Sequence, residues 1–230
     1  MKRNNNYIYP KTIREMIDGK RHYEINGIEK LPSVTTILKA TEPDEKRESL
    51  QAWRDRVGEE NATRIVDESA ARGTAMHKIL EKYILEEGYL DETEVGKQAH
   101  NMALRVIEQG LCNVQEYFGT ECTLYYPGLY AGQTDLVAMH KGNIAIIDFK
   151  QTNKPKKREW IDDYFLQLGA YAMAHNFIYK TSISKGIVMM CSKDNFYQEF
   201  VIEGLEFQKH KHNFLRRVDE YYKGRSKTTG

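Results

Sequence analysis

The chain has 230 residues, 40% of them hydrophobic, enough to bury a sizeable core in a single domain. Its 34 basic and 33 acidic residues leave a net charge of +1, so any affinity for a polyanion has to come from local clusters rather than the bulk field. No apolar run approaches a membrane span, and the three separated cysteines, Cys112, Cys122 and Cys191, make neither a disulfide framework nor a CxxC metal site.

The opening MKRNNNYIYP lacks the apolar centre of a signal peptide and is too short and too poor in Ser and Arg for a transit peptide, so the expected setting is cytoplasmic, in a bacterial or phage-infected cell. Residues Arg21 to Ile25, then Asn26-Gly27, then Ile28 carry a hairpin signal, because Asn-Gly favours the turn that matches strand twist. After Pro32, Ser33 is an N-cap candidate for a helix whose apolar face holds Val34, Ile37 and Leu38. From Asp44 to Asp67 charge is dense, either a solvated helical pair or, through Trp53 beside Arg54 and Arg56, a surface for unpaired strands where a ring stacks next to cations. Ala70 to Glu87 reads as an amphipathic helix with Met76, Ile79, Leu80, Tyr83 and Ile84 on its apolar side. His77 stands one position from that stripe, where a hydrogen-bonded core histidine is the plain reading. A second long helix spans residues 97–117 with a break near Gly110, and a strand opens at Thr120 with Glu121 on it.

The next segment carries the chemistry. Thr134 to Met139 and Asn143 to Phe149 are strands joined by the short Gly-containing loop His140-Lys141-Gly142. Asp148 follows Asp135 by 13 residues, which places both carboxylates at one end of this hairpin. Side chains alternate with period two, so Asp148 and Lys150 share a face while Phe149 turns into the core. Converging carboxylates repel unless a cation sits between them, and Mg²⁺ or Mn²⁺ suits oxygen ligands at an open site. Lys150 beside such an ion can position an attacking water and offset charge on a phosphate. The basic cluster Lys150, Lys154, Lys156, Lys157 and Arg158 follows, either a phosphate grip or a solvated loop. A helix from Trp160 to Asn176 puts Gln167 and Tyr171 on one face. The tail holds the strand GIVMMC from Gly186, a strand from Phe196 to Ile202, a helix from Leu205 to Lys223 and a fraying GRSKTTG. No G-x-x-x-x-G-K-[ST] loop is present, so no ATP site is expected.

Taken in order, Arg72-Gly73-Thr74-x-x-His77, Gly132-x-x-Asp135, Asp148-x-Lys150 and Gln167-x-x-x-Tyr171 resemble the PD-(D/E)xK nuclease superfamily in its RecB-like branch. Within it the chain is most similar to the mitochondrial genome maintenance exonuclease family with its phage and bacterial relatives, over about Leu31 to the C-terminus. The resemblance implies an α/β (α+β) fold, a central mixed sheet flanked by helices in a restriction-endonuclease-like core, with an N-terminal helical arch. Its parts would be a hairpin over residues 1–30, the arch over 31–68, the catalytic core over 69–204, and a C-terminal helix and tail over 205–230 of one domain. It further implies a metal-dependent single-strand DNA exonuclease of replication, recombination or repair, acting as a monomer on DNA beside replication or recombination proteins. His77, Asp135, Asp148 and the Phe149 carbonyl would hold one or two Mg²⁺ or Mn²⁺ ions, with Lys150 as the catalytic cation. Gln167, Tyr171, Thr152, Lys154, Arg72, Trp53 and Arg54 would touch DNA, and Glu121 would support the metal or its water. The missing fourth cysteine sets the chain apart from the branch members that carry an iron-sulfur cluster. Two alternatives stay open: a catalytically silent DNA-binding accessory of the same fold, and a structure-specific or duplex endonuclease.

Overall fold

Lys141 and Gly142 both take positive φ, 48° and 81°, the backbone that a two-residue turn between twisted strands requires. The hairpin they close is the centre of the sheet. The computed structural model describes residues 1–226. In chain order its elements are β1 (Lys2–Arg3), β2 (Thr12–Ile17), β3 (Lys20–Ile25), β4 (Glu29–Pro32), α1 (Val34–Ala40), α2 (Asp44–Val57), α3 (Glu59–Ile84), α4 (Glu94–Gln109), β5 (Val114–Tyr126), β6 (Tyr130–His140), β7 (Asn143–Thr152), α5 (Asp162–Tyr179), β8 (Lys185–Ser192), β9 (Tyr197–Glu203) and α6 (Gly204–Ser226).

The main sheet has six strands in the order β1-β5-β6-β7-β8-β9. Its β1–β5 and β7–β8 pairs are parallel and the others antiparallel, so the expected central mixed sheet flanked by helices is present. Alternation divides its side chains between two cores. Leu136, Ala138, Ala145, Ile147, Phe149, Ile187 and Met189 pack with Met76, Ile79, Leu80, Met102 and Val106 of α3 and α4. Val137, Ile146, Val188 and Met190 point the other way, to Ile37 of α1, Leu168 of α5 and Phe214 of α6. Near-continuous apolar runs in β7 and β8 follow from burial on both faces.

Ser33 caps α1 as expected, its hydroxyl accepting from the Thr36 amide at 3.0 Å, and Val34, Ile37 and Leu38 are buried. The N-terminal β element is larger than expected. β2, β3 and β4 form their own three-stranded antiparallel sheet. The turn between β2 and β3, Asp18-Gly19, also has positive φ at both residues, the same signal as Asn26-Gly27, but β2 shows no clean alternation beside it.

Three element bounds differ from expectation. The helix expected from Ala70 starts at Glu59, because Gly58 (φ 86°) is the break and the charged stretch after it continues the helix. Tyr83 faces solvent instead of the apolar side, whereas Met76, Ile79, Leu80 and Ile84 are buried. The strand expected at Thr120 opens at Val114, since α4 stops at Gln109, where a Cβ at Gly110 would press on the Tyr197 hydroxyl. The GRSKTTG stretch continues α6 to Ser226, and the remainder lies outside the described residues. No helix among the described residues is long and apolar enough to cross a membrane.

Candidate active site

β6 and β7 pair from His140↔Asn143 to Leu136↔Ile147, and Asp135 and Asp148 follow where the pairing ends. There Asp135 Oδ2 accepts from the Phe149 amide at 2.6 Å, which fixes its carboxylate at the mouth of the hairpin. The neighbouring strand supplies a third acid. In β5, Thr120 faces Leu136 and Cys122 faces Thr134, which sets Glu121 across from Asp135. Glu121 is held at φ 49°, unusual for a strand residue, and Gln133 donates to both its backbone oxygen and its Oε2 at 2.9 Å. From α3, His77 reaches across the strand ends, Nδ1 lying 3.3 Å from Asp135 Oδ1, and its ring meets the Phe149 ring edge-on.

On the α5 side, Lys150 forms an ion pair with Asp148 and lies over the Tyr164 ring at 4.8 Å. Behind them, Gln167 donates to the Tyr171 hydroxyl at 3.0 Å. Gly132 makes room for that tyrosine: a Cβ there would sit 2.6 Å from Tyr171 Cε1. A cavity of about 920 Å³ opens over His77, Glu121, Asp135, Asp148, Lys150 and Tyr171.

Charge is unevenly resolved in this cavity. Burial raises the Asp148 carboxyl to about 6 against the pull of Lys150, and burial together with Asp135 lifts Glu121 to about 7. Asp135 goes the other way, since His77, Lys150 and the Phe149 amide outweigh its burial and hold its pKa down. Burial works against the positive charge of both bases, yet Asp148 keeps Lys150 up at about 12 and Asp135 carries His77 to about 9. The ligating atoms of His77, Glu121 and Asp135 lie within 4.8 Å of one another. An imidazole and two carboxylates, with Asp148 beside them, fit a divalent cation that takes oxygen and nitrogen ligands and keeps open positions.

Of the residues singled out in the sequence, His77, Glu121, Asp135, Asp148, Lys150, Gln167 and Tyr171 line this cavity together. Phe149 is not among the lining residues, and its ring packs in the core. Arg72, Thr152, Lys154, Trp53 and Arg54 are not among the lining residues. Arg72 is buried and committed to Gln151 and Asn153 at the end of β7, while Gln151 returns to Ser69 of α3. These bonds fasten α3 to the sheet. The Thr152 hydroxyl donates to the Lys154 carbonyl, and Arg54 pairs with Glu59. The basic cluster disperses likewise: Arg158 is taken by Glu206, and Lys157 lies over Trp160.

Sequence reasoning missed Gln133, Glu81 and the residues that the N-terminal sheet brings to the rim, Arg14, Arg21 and Tyr23. Gln133 sits inside the Gly132-x-x-Asp135 motif and was legible there. Glu81 lies one turn beyond His77 on α3, while Arg14, Arg21 and Tyr23 come from a separate sheet whose placement no local pattern encodes.

No family model matches the chain. Curated relatives do: mitochondrial genome maintenance exonuclease 1 from Mus musculus is 28% identical over 204 residues, 83% of this chain and 59% of that protein. The Xenopus tropicalis protein of the same name is 28% identical over 216 residues, covering 88% and 60%, and the Homo sapiens one 26% over 174 residues, covering 71% and 50%. The chain thus spans between 50% and 60% of the length of these relatives. Solved structures are more distant: an alkaline exonuclease from Laribacter hongkongensis has 14% identity and a TM-score of 0.31 over 67% of this chain and 84% of its own. A protein from Eubacterium rectale described as a candidate exonuclease has 11% identity and a TM-score of 0.47 over 66% and 68%. The sequence similarities support a relationship to PD-(D/E)xK-like nucleases. They also overturn the expected bacterial or phage cytoplasm, because the matched relatives are vertebrate proteins of mitochondrial genome maintenance.

Proposed function

Starting from this relationship to PD-(D/E)xK-like nucleases, we propose that the protein is a metal-dependent DNA exonuclease that prefers single strands. The observation that carries the reading is the convergence of His77, Glu121 and Asp135 within 4.8 Å at the mouth of a hairpin whose next residues are Asp148 and Lys150. His77, Asp135 and Asp148, with the Phe149 carbonyl, are the proposed ligands of Mg²⁺ or Mn²⁺, and Glu121 stands beside them. A divalent cation there supplies Lewis-acid polarisation of the phosphodiester and a water of lowered pKa.

The chain's own groups do the remaining work. Lys150 keeps its proton, held by Asp148, and its ammonium offsets charge growing on the phosphate oxygens while it orients the attacking water by hydrogen bonding. Glu121, whose carboxyl titrates near neutrality through burial and Asp135, is placed to accept a proton from that water. Gln167 and Tyr171, joined by their mutual hydrogen bond, form the wall against which the substrate rests.

Single-strand preference is supported by α2, which buries none of its residues and carries Trp53 and Arg54, and by the first turns of α3, where Ala62 is the one buried residue before Arg72. Together they serve as a helical arch that passes an unpaired strand and obstructs a duplex. Comparing end-labelled linear single strands, circular single strands and duplexes in one assay tests this. Linear single strands should be degraded fastest and circles spared; circles or duplexes cleaved as fast as linear single strands would overturn the reading.

A further inference from the structure

Arg14 and Arg21 line the cavity that holds the proposed metal ligands, although they belong to the separate N-terminal sheet. Register explains their position. Arg14 is opposite Tyr23 and Arg21 opposite Met16, so by alternation both arginines share the face that carries Tyr23, Ile25 and Leu31. Those three are buried against Ala131 of β6, so this face looks inward. On the opposite face, Lys30 takes both of the nearby acids, Glu15 and Glu24. Among the described residues no carboxylate pairs with Arg14 or Arg21, and both are exposed to the cavity. Two guanidinium groups without a carboxylate partner, one of them hydrogen-bonded to Tyr23, therefore face a site whose other walls carry Glu81, Glu121, Asp135 and Asp148.

A second cavity, of about 820 Å³, shares Arg14, Tyr23, Glu81, Glu121 and Gln133 with the first and extends beneath β2 to Arg3. The two cavities adjoin along these shared residues, and Arg14 is one of them. We infer that Arg14 and Arg21 bind the phosphate backbone of the DNA strand where it passes the hydrolytic centre, making the N-terminal sheet the second wall of the substrate channel. This rests on the nuclease reading above. Guanidinium groups fork onto phosphate oxygens, and a pair on one sheet face spans successive phosphates without reading bases.

The test measures binding of a fluorescent single-stranded oligothymidine in EDTA, over a series of KCl concentrations, for the wild type, Arg14→Ala, Arg21→Ala, the double alanine variant and the double lysine variant. Each lost phosphate contact lowers the slope of log K against log salt by about 0.7, so the double alanine variant should lose roughly twice that and bind more than tenfold weaker at low salt. The double lysine variant should keep the wild-type slope. Both arginines are exposed, and thermal melting confirms that the variants fold. An unchanged slope in the double alanine variant, beside a wild type that binds, would overturn this inference and leave the nuclease reading standing. Loss of slope in the lysine variant as well would mark a structural role and overturn it too. A wild type that fails to bind the oligonucleotide would overturn this inference too, while the nuclease reading is decided separately by cleavage with Mg²⁺ or Mn²⁺ restored.

Discussion

Gly132→Ala offers a sharp test of how the motif residues build the site. The added methyl would sit 2.6 Å from Tyr171 Cε1, 3.0 Å from its hydroxyl and 3.2 Å from Cζ, all closer than ordinary contact. Tyr171 cannot swing away cheaply: it is 2% exposed, packed in the α5 core and hydrogen-bonded to Gln167. Overpacking of this kind costs about 1–3 kcal/mol. For a chain of this length, about 2 kcal/mol corresponds to a drop of roughly 4–8 °C in Tm. The assay is thermal and urea unfolding of Gly132→Ala, Tyr171→Leu and the double variant. Shrinking the tyrosine relieves the clash, so the double variant should be at least about 1 kcal/mol more stable than the sum of the single effects predicts. A Gly132→Ala protein that melts like wild type, or strictly additive effects, would refute the claim that this glycine exists to admit Tyr171.

Three further outcomes follow from particular contacts. Lys150→Met leaves Asp148 buried without its cation and should destabilise by roughly 3–5 kcal/mol, whereas pairing it with Asp148→Asn should recover much of that loss and no cleavage; recovery of cleavage would remove both residues from the chemistry. Burial holds the His175 imidazole at about 4, below its usual 6.5, among Tyr7, Tyr9 and Tyr179. The unfolded chain takes up that proton first, so stability is full above pH 6.5, falls toward pH 4 by on the order of 3 kcal/mol and flattens below. Urea titrations should show this slope in wild type and its loss in His175→Gln, and equal slopes would refute it. Ser33→Ala removes the cap on α1 and should cost about 1 kcal/mol in the same measurement, with no change pointing to another acceptor for the Thr36 amide.

The central hairpin was legible because three independent signals agree there: apolar β-formers on both strands, a Gly-containing turn, and acids at spacings that bring them to one end. His77 could be placed only through the ordered motif, since its neighbours read as an ordinary amphipathic stripe. Arg72 shows the converse. Its place in that motif invited a phosphate contact, yet the buried side chain is consumed by Gln151 and Asn153, partners 79 and 81 residues away. Glu121 was visible as an acid on a strand, but its backbone conformation and its position across from Asp135 depend on the register of β5 against β6. Arg14 and Arg21 were invisible for the same reason: which face of a small sheet turns inward is decided by where it docks, here on Ala131.

The most direct test is cleavage of an end-labelled single-stranded oligonucleotide by EDTA-stripped protein before and after Mg²⁺ or Mn²⁺ is restored, for the wild type and Asp135→Asn. The asparagine keeps an acceptor for the Phe149 amide, so the fold is spared while a ligand charge is lost. Cleavage should return with the metal in wild type and stay at least a hundredfold lower in the variant. Cleavage that proceeds in EDTA, or that Asp135→Asn leaves intact, would contradict a cation held by this cluster.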